Sequence, residues 1–249
     1  MAIFRVEKLF KSFGGLRAIA DLTFSIEKRT ITSLIGPNGA GKTTAFSLIT
    51  GFLKPDSGKI FFRERDITGL PPFQIVNLGI VRTFQDVRVL NKLTVKENIL
   101  IGLRETHQQG LLQSVFWGKR ATRKVMDKVE QLVEFVGLED VAEELAENVS
   151  YPEQKLIILA RALATDAELL LLDEPASGLD QNSLERMMGL LRRLVKEGKT
   201  VFLVEHNMEV VINISDYVIV LDFGQKIAED VPDRVRFNPK VIQAYLGVS

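Results

Sequence analysis

An α/β fold on a mostly parallel sheet, with a small β layer at its N-terminal end and an inserted helical subdomain, is what the sequence predicts. Three observations carry it. The apolar stretch from Ile31 to Ile35 feeds a glycine-rich loop and then a helical stretch. Short apolar strands return after residue 165 and alternate with an amphipathic helix. Between these regions, from Thr94 to about Ala164, strand signals stop and helical periodicity takes over.

Ile3 to Val6 and Leu22 to Ile26 are rich in β-branched and aromatic residues and flank the turn-prone Gly14-Gly15, which predicts the small β layer. Ile31 to Ile35 reads as a buried strand, and Lys42 to Ile49 as a helix ended by Gly51. Pro55 to Gly58 forms a turn before a strand over Lys59 to Phe62, and Ile80 to Phe84 is a further strand running up to Gln85. In the helical region, Thr94 and Glu97 have capping-box spacing, and Val125, Val129, Leu132, Val133 and Val136 share one helix face up to Gly137. Strands follow at Leu169 to Leu172, Val201 to Val204 and Tyr217 to Leu221, with a helix built on Leu184, Met187, Met188, Leu191, Leu194 and Val195 among them. No linker separates independent domains. The reading is one domain over 1–249, with 1–86 and 165–249 forming the core and about 87–164 the helical subdomain.

Lys plus Arg equals Asp plus Glu at 32 each, so the net basic field that nucleic-acid binding usually leaves is missing and no nucleic-acid partner is expected. Without cysteine there are no disulfides and no thiolate zinc sites. The apolar runs at Leu156 to Ala160 and Leu169 to Leu172 fall short of the roughly 18 residues a membrane span needs. A cytosolic compartment is expected, with any membrane contact made through a partner.

Gly36-Pro37-Asn38-Gly39-Ala40-Gly41-Lys42-Thr43 fits G-x-x-x-x-G-K-[ST] and lies between a predicted strand and a predicted helix. Glycines let such a backbone curl around phosphates, the helix N-terminus points N–H groups at the anion, the Lys42 ammonium offsets β/γ charge, and the Thr43 hydroxyl is a Mg²⁺ ligand. The pattern therefore calls for ATP with Mg²⁺. Leu169 to Leu172 delivers Asp173 and Glu174 at a strand's C-terminal end, where open α/β sheets place ligands. Asp173 is read as holding Mg²⁺, directly or through a water, and Glu174 as the base acting on the attacking water. Val201 to Val204 ends in Glu205-His206-Asn207, and His206 is a candidate contact for the γ-phosphate.

Taken in order, these motifs resemble the ATP-binding cassette family over nearly the whole chain. The loop is similar to its Walker A, Leu169 to Glu174 to its Walker B, Ser177-Gly178-Leu179-Asp180 to its D-loop, and His206 to its switch histidine. The resemblance implies a P-loop NTPase core with an antiparallel β subdomain, and an ATPase that works in a nucleotide-sandwich dimer. It implies nucleotide contacts from Phe13 stacking on adenine, from Ala18, from Gly36, Pro37, Asn38, Gly39, Ala40, Gly41, Lys42, Thr43 and Thr44, and from Asp180. Gln85 matches the Q-loop glutamine, which reaches Mg²⁺ or water. An ordinary core role for Phe13 stays open.

Gly79-Ile80-Val81-Arg82-Thr83-Phe84-Gln85, residues 107–124 and Val241 to Gly247 are similar to the longer ATP-binding subunits of branched-chain amino acid importers. That likeness implies a second ATP-binding subunit, transmembrane permease subunits, a solute-binding protein upstream, and a place on the cytoplasmic face of the plasma membrane. Related subunits serving urea or short amides share the pattern. Within 107–124, Phe116-Trp117 is expected to pack on the protein's own surface, contact with the membrane subunit or lipid headgroups being the alternative.

One departure stands out. Where the family has Leu-Ser-Gly-Gly-Gln, this chain has Val149-Ser150-Tyr151-Pro152-Glu153. Ser150, Tyr151, Pro152 and Glu153 occupy the signature positions that would face a partner's nucleotide, but Pro152 brings no N–H donor. Proline is tolerated in a first helical turn, and Ser150-x-x-Glu153 has capping-box spacing, so the helix is expected to stand. The expectation is a heterodimer with unequal sites, a homodimer being the alternative. A cytosolic cassette ATPase outside transport and a nucleotide-gated regulatory module remain as other readings.

Overall fold

The computed structural model describes residues 1–85, 87–103 and 119–246, with backbone alone for 119–122. The chain divides into two compact units: Met1–Arg82, Glu168–Ser177 and Leu191–Ser249 form one, and Thr83–Ala167 with Gly178–Leu190 the other.

Two sheets make up the first unit. Strands β1 (Ala2–Phe13), β2 (Leu16–Glu27), β4 (Ser57–Phe62) and β5 (Arg65–Asp66) form an antiparallel sheet in the order β2-β1-β4-β5. The hairpin strands, 12 residues each, are more than twice as long as the sequence predicts. Register shifts between β1 and β2, and left-handed Lys8 and Asp21, let the pairing run on through polar positions that break a simple alternation.

The second sheet has the order β10-β9-β3-β8-β7-β6, from β3 (Ile31–Ile35), β6 (Ile80–Arg82), β7 (Leu169–Asp173), β8 (Thr200–Val204), β9 (Tyr217–Asp222) and β10 (Gln225–Asp230). Its five strands from β9 to β6 are parallel, and β10 returns antiparallel on the β9 edge. β6 stops at Arg82, short of the predicted Phe84. Every residue of β3, β7 and β8 is buried, Thr32 and Ser33 of β3 included, and β7 and β8 read as nearly continuous apolar runs.

Period-2 alternation assigns the faces. Leu34, Ile219 and Leu221 join a core shared with the antiparallel sheet, helix α1 (Lys42–Ile49) and Ile75 of α2 (Pro72–Leu78). Ile35, Val218 and Val220 face the other way, onto Val211, Val235 and Val241. The first core is centred on Phe202, whose ring lies 5.1 Å from Phe46 and 5.5 Å from Phe24.

The second unit packs α3 (Val95–Leu100), α4 (Lys119–Val136) and α5 (Tyr151–Ala164) against one another. Thr94 and Glu97 close the predicted capping box. Val129, Val133 and Val136 are buried, Val125 and Leu132 partly so, and Gly137 ends α4 in a left-handed turn. α6 (Gln181–Lys196) is divided between the two units. Most of the 107–124 stretch, including Phe116-Trp117, lies outside the described residues, as does Gly247.

Asn98, fully buried, ties the second unit together. Its amide donates to the carbonyls of Leu90, Leu93 and Thr94 at 2.9–3.2 Å and accepts from Leu90 N–H and the Arg161 guanidinium. Asn98→Ala leaves several of these groups unpaired in the interior, and a loss of about 3 kcal/mol is expected from equilibrium urea unfolding of the full chain.

Candidate functional site

The glycine-rich loop leaves β3 and enters α1 as the sequence predicts. Gly36, Gly39 and Gly41 have φ of +151°, +81° and +101°. A Cβ on Gly36 would lie 2.1 Å from the Leu221 carbonyl oxygen, and one on Gly41 would lie 2.6 Å from that of Ala18. Ala18 is therefore packed against the loop. On Gly39 a Cβ would meet nothing within 4 Å, so this part of the loop faces open space.

α1 has no side-chain cap and no acidic residue in its first turn, leaving its N-terminal N–H groups to the loop's concave side. Lys42 is only 6% exposed and donates to the Gly36 and Pro37 carbonyls at 2.7 and 2.9 Å. Burial lowers its pKa, and the negative charges of Glu174 and Asp173 oppose the shift. Because the folded value lies below the unfolded one, a charged Lys42 costs stability at neutral pH. That cost fades as pH rises from the folded pKa toward the ordinary lysine value. An anion in the loop would relieve it, so the residues fit a phosphate. Thr43 is exposed and Thr44 half-buried.

Asp173 and Glu174 end β7. Asp173, 8% exposed, pairs with Arg82 at 2.7 Å. Glu174 takes a left-handed conformation, φ +50°, and its Oε1 lies 2.5 Å from His206 Nε2. His206 is 44% exposed at the end of β8. One turn of charge thus gathers Lys42, Asp173, Glu174 and His206 at the C-terminal ends of three neighbouring parallel strands. Among the described residues, no three carboxylate or imidazole groups cluster as a metal cage. A Mg²⁺ ion suits such a place, because it takes one or two protein ligands and completes its shell with phosphate and water.

Phe13 is 46% exposed, which excludes the core role, with the Lys11 ammonium 5.6 Å from its ring centre. The remaining candidates belong to the second unit. Gln85 is exposed, three residues past β6. Glu153 Oε2 accepts both the N–H and the hydroxyl of Ser150 at 2.7 Å, Pro152 sits in the first turn of α5, and Tyr151 is exposed, its ring edge beside Gly178. Asp180 accepts from Asn182 N–H, Ser183 N–H and the Ser183 hydroxyl at the start of α6, and these bonds lower its pKa.

Residues 19–177 match the family described as ABC transporter. The chain belongs to the ABC transporter family. Residues 225–249 of this cassette also match the family described as branched-chain amino acid ATP-binding cassette transporter. The chain is 40% identical over 246 residues to the high-affinity branched-chain amino acid transport ATP-binding protein LivG of Salmonella typhimurium, covering 97% of this chain and 96% of the relative. A probable LivG of Archaeoglobus fulgidus is 39% identical, at 99% and 96% coverage. Among solved structures, an ATP-binding cassette of an ABC transporter in its ADP conformation aligns with a TM-score of 0.86 at 34% identity, covering 99% of each chain. A cassette from Clostridium perfringens, part of an ABC transporter complex, aligns at 0.82 and 27%, covering 97% of this chain and 93% of that one. This chain is thus an ATP-binding cassette of the transport ATPases. Among its described residues no helix is long and apolar enough to cross a membrane.

Two residues of this cassette's centre carry no role in the sequence reading. Arg82 appears there only as a letter in the approach to Gln85. Glu205, 3% exposed, accepts from Ala176 N–H at 2.8 Å and so anchors the chain just beyond Pro175. A buried charge after an apolar strand is the one signal that marks both.

The loop geometry separates two alanine substitutions. Gly36→Ala combines a backbone clash with left-handed strain and is expected to cost about 3 to 5 kcal/mol, while Gly39→Ala carries the strain alone, about 1 to 2 kcal/mol. Urea midpoints of the two variants measure the difference.

Proposed function

We propose that this cassette binds and hydrolyses ATP with Mg²⁺ and powers an importer of branched-chain or other neutral amino acids. The observation that carries the catalytic part is the placement of Lys42, Asp173, Glu174 and His206 within one charge cluster of the first unit. The loop N–H groups and the Lys42 ammonium take the β/γ-phosphates. Thr43 and Asp173 would hold the magnesium, which offsets phosphate charge when bound; Gln85, in the second unit, keeps its reading as the Q-loop glutamine. Glu174 accepts a proton from the attacking water, and His206, already 2.5 Å from Oε1, fixes that carboxylate and reaches the γ-phosphate. The exposed Phe13 stacks on adenine, Ala18 lining the same pocket.

The partners are a second ATP-binding subunit, transmembrane permease subunits and, through them, a solute-binding protein. The chain then sits at the cytoplasmic face of the plasma membrane. Support for the cargo comes from full-length similarity to proteins named for branched-chain amino acid transport and from the C-terminal match. Importers of urea or short amides are the other cargo reading.

The helical subdomain, about 87–164, carries the signature serine, and here the bonding favours unequal sites. Glu153 holds the Ser150 hydroxyl, and Pro152 supplies no N–H, so this chain's signature offers a partner's phosphate fewer donors. In a heterodimer, the site built on this chain's Lys42 and Glu174 against a partner's signature hydrolyses faster.

Glu174→Gln is expected to lower hydrolysis at least 100-fold in the reconstituted transporter while keeping ATP binding, whereas Lys42→Ala loses binding. An unaltered affinity in Lys42→Ala overturns the assignment. Single-turnover hydrolysis with Glu174→Gln here, or with the equivalent change in the partner subunit, tests the inequality. Equal losses refute it. Uptake of leucine against urea by the same vesicles decides the cargo.

A further inference from the structure

Arg82 is the last residue of β6, the edge strand, yet its side chain is only 7% exposed. It pairs with Leu171 in the β6–β7 register, and Asp173 lies two residues on, on the same face. Nη2 donates to Asp173 Oδ2 at 2.7 Å and Nη1 to Ser47 Oγ at 3.3 Å, while the guanidinium carbon sits 5.5 Å from the centre of the Phe46 ring. Ser47, one turn into α1, donates its hydroxyl to the Thr43 carbonyl at 2.8 Å. A continuous linkage therefore runs from Thr43 through Ser47 and Arg82 to Asp173.

We infer that Arg82 is a positioning residue for magnesium: it fixes the Asp173 carboxylate against the phosphate helix, so that Thr43 and Asp173 are held at one set distance. The inference rests on the assignment of those two residues to the metal. One end of the linkage is the Asp173 carboxylate and the other is the backbone carbonyl of Thr43, the residue whose hydroxyl would meet the same ion, and Mg²⁺ tolerates little departure from octahedral geometry. The planar guanidinium fork suits the task, because its two Nη groups reach two acceptors in a fixed relation. A lysine ammonium in that place holds one acceptor at a time. The charge itself works against the metal, since a cation beside Asp173 repels another, so the benefit is geometric. A charge-conserving substitution is therefore expected to lose it.

The experiment measures the affinity of the full chain for a non-hydrolysable ATP analogue with Mg²⁺ and with excess EDTA, taking the ratio as the magnesium gain. Arg82→Lys is expected to reduce that gain about tenfold with the EDTA affinity within twofold of wild type. Ser47→Ala, a milder change on a half-buried side chain, is expected to reduce it about threefold, and it decides the matter if Arg82→Lys does not fold. A gain within twofold of wild type in the folded variants overturns the inference. So does an equal fall in the EDTA affinity, which is what a merely structural ion pair gives. Wild type without any magnesium gain, or Asp173→Asn with the full gain, defeats the metal assignment itself and this inference with it.

Discussion

A lysine ammonium held inside a loop of carbonyl oxygens is the constraint on which the first unit depends. Lys42 has left most of its water, and the Gly36 and Pro37 carbonyls are dipoles that replace hydration without neutralising the charge. That arrangement requires the loop to fold back on its own helix, which in turn requires Gly36 and Gly41 to pass where any side chain would strike the Leu221 or Ala18 backbone. The strands β9 and β2 thus shape the loop from outside. The fold holds the loop in a conformation that an anion completes.

The same economy of charge runs through the acidic end of β7. Asp173 and Glu174 would repel each other and any approaching phosphate if both stood bare. Arg82 covers the first with a fixed positive charge, and His206 Nε2 lies 2.5 Å from the second. The two pairs differ in kind. Arg82 is buried and held by three contacts, whereas His206 is nearly half exposed.

What was legible in the sequence is what a single period or spacing can carry. The phosphate loop, the β3, β7 and β8 runs, the Thr94 cap and the α4 face all follow from local pattern, and each stands in the structure. The full length of β1 and β2 was not, because the bulges at Lys8 and Asp21 reset the alternation that marks a strand. β10 was missed as well: Gln225 to Asp230 is a polar edge strand, defined by pairing with β9 rather than by its own hydrophobicity. In the centre, Lys42, Asp173, Glu174 and His206 were readable as residue types at strand ends. Asp173's pairing with Arg82 and Glu205's bond to Ala176 were not, since those join residues far apart in the chain.

The altered signature shows how a local rule can be kept while a chemical one is given up. Helix α5 needs its first turn satisfied, and Ser150 with Glu153 does that, while Pro152 occupies a position where a missing N–H costs the helix nothing. For the helix, Tyr-Pro-Glu is as sound a start as two glycines and a glutamine. For a phosphate approaching from outside, the same substitutions remove one donor, occupy the serine hydroxyl and place a carboxylate nearby. Folding pressure alone does not choose between the two sequences. What distinguishes them therefore lies outside the helix itself.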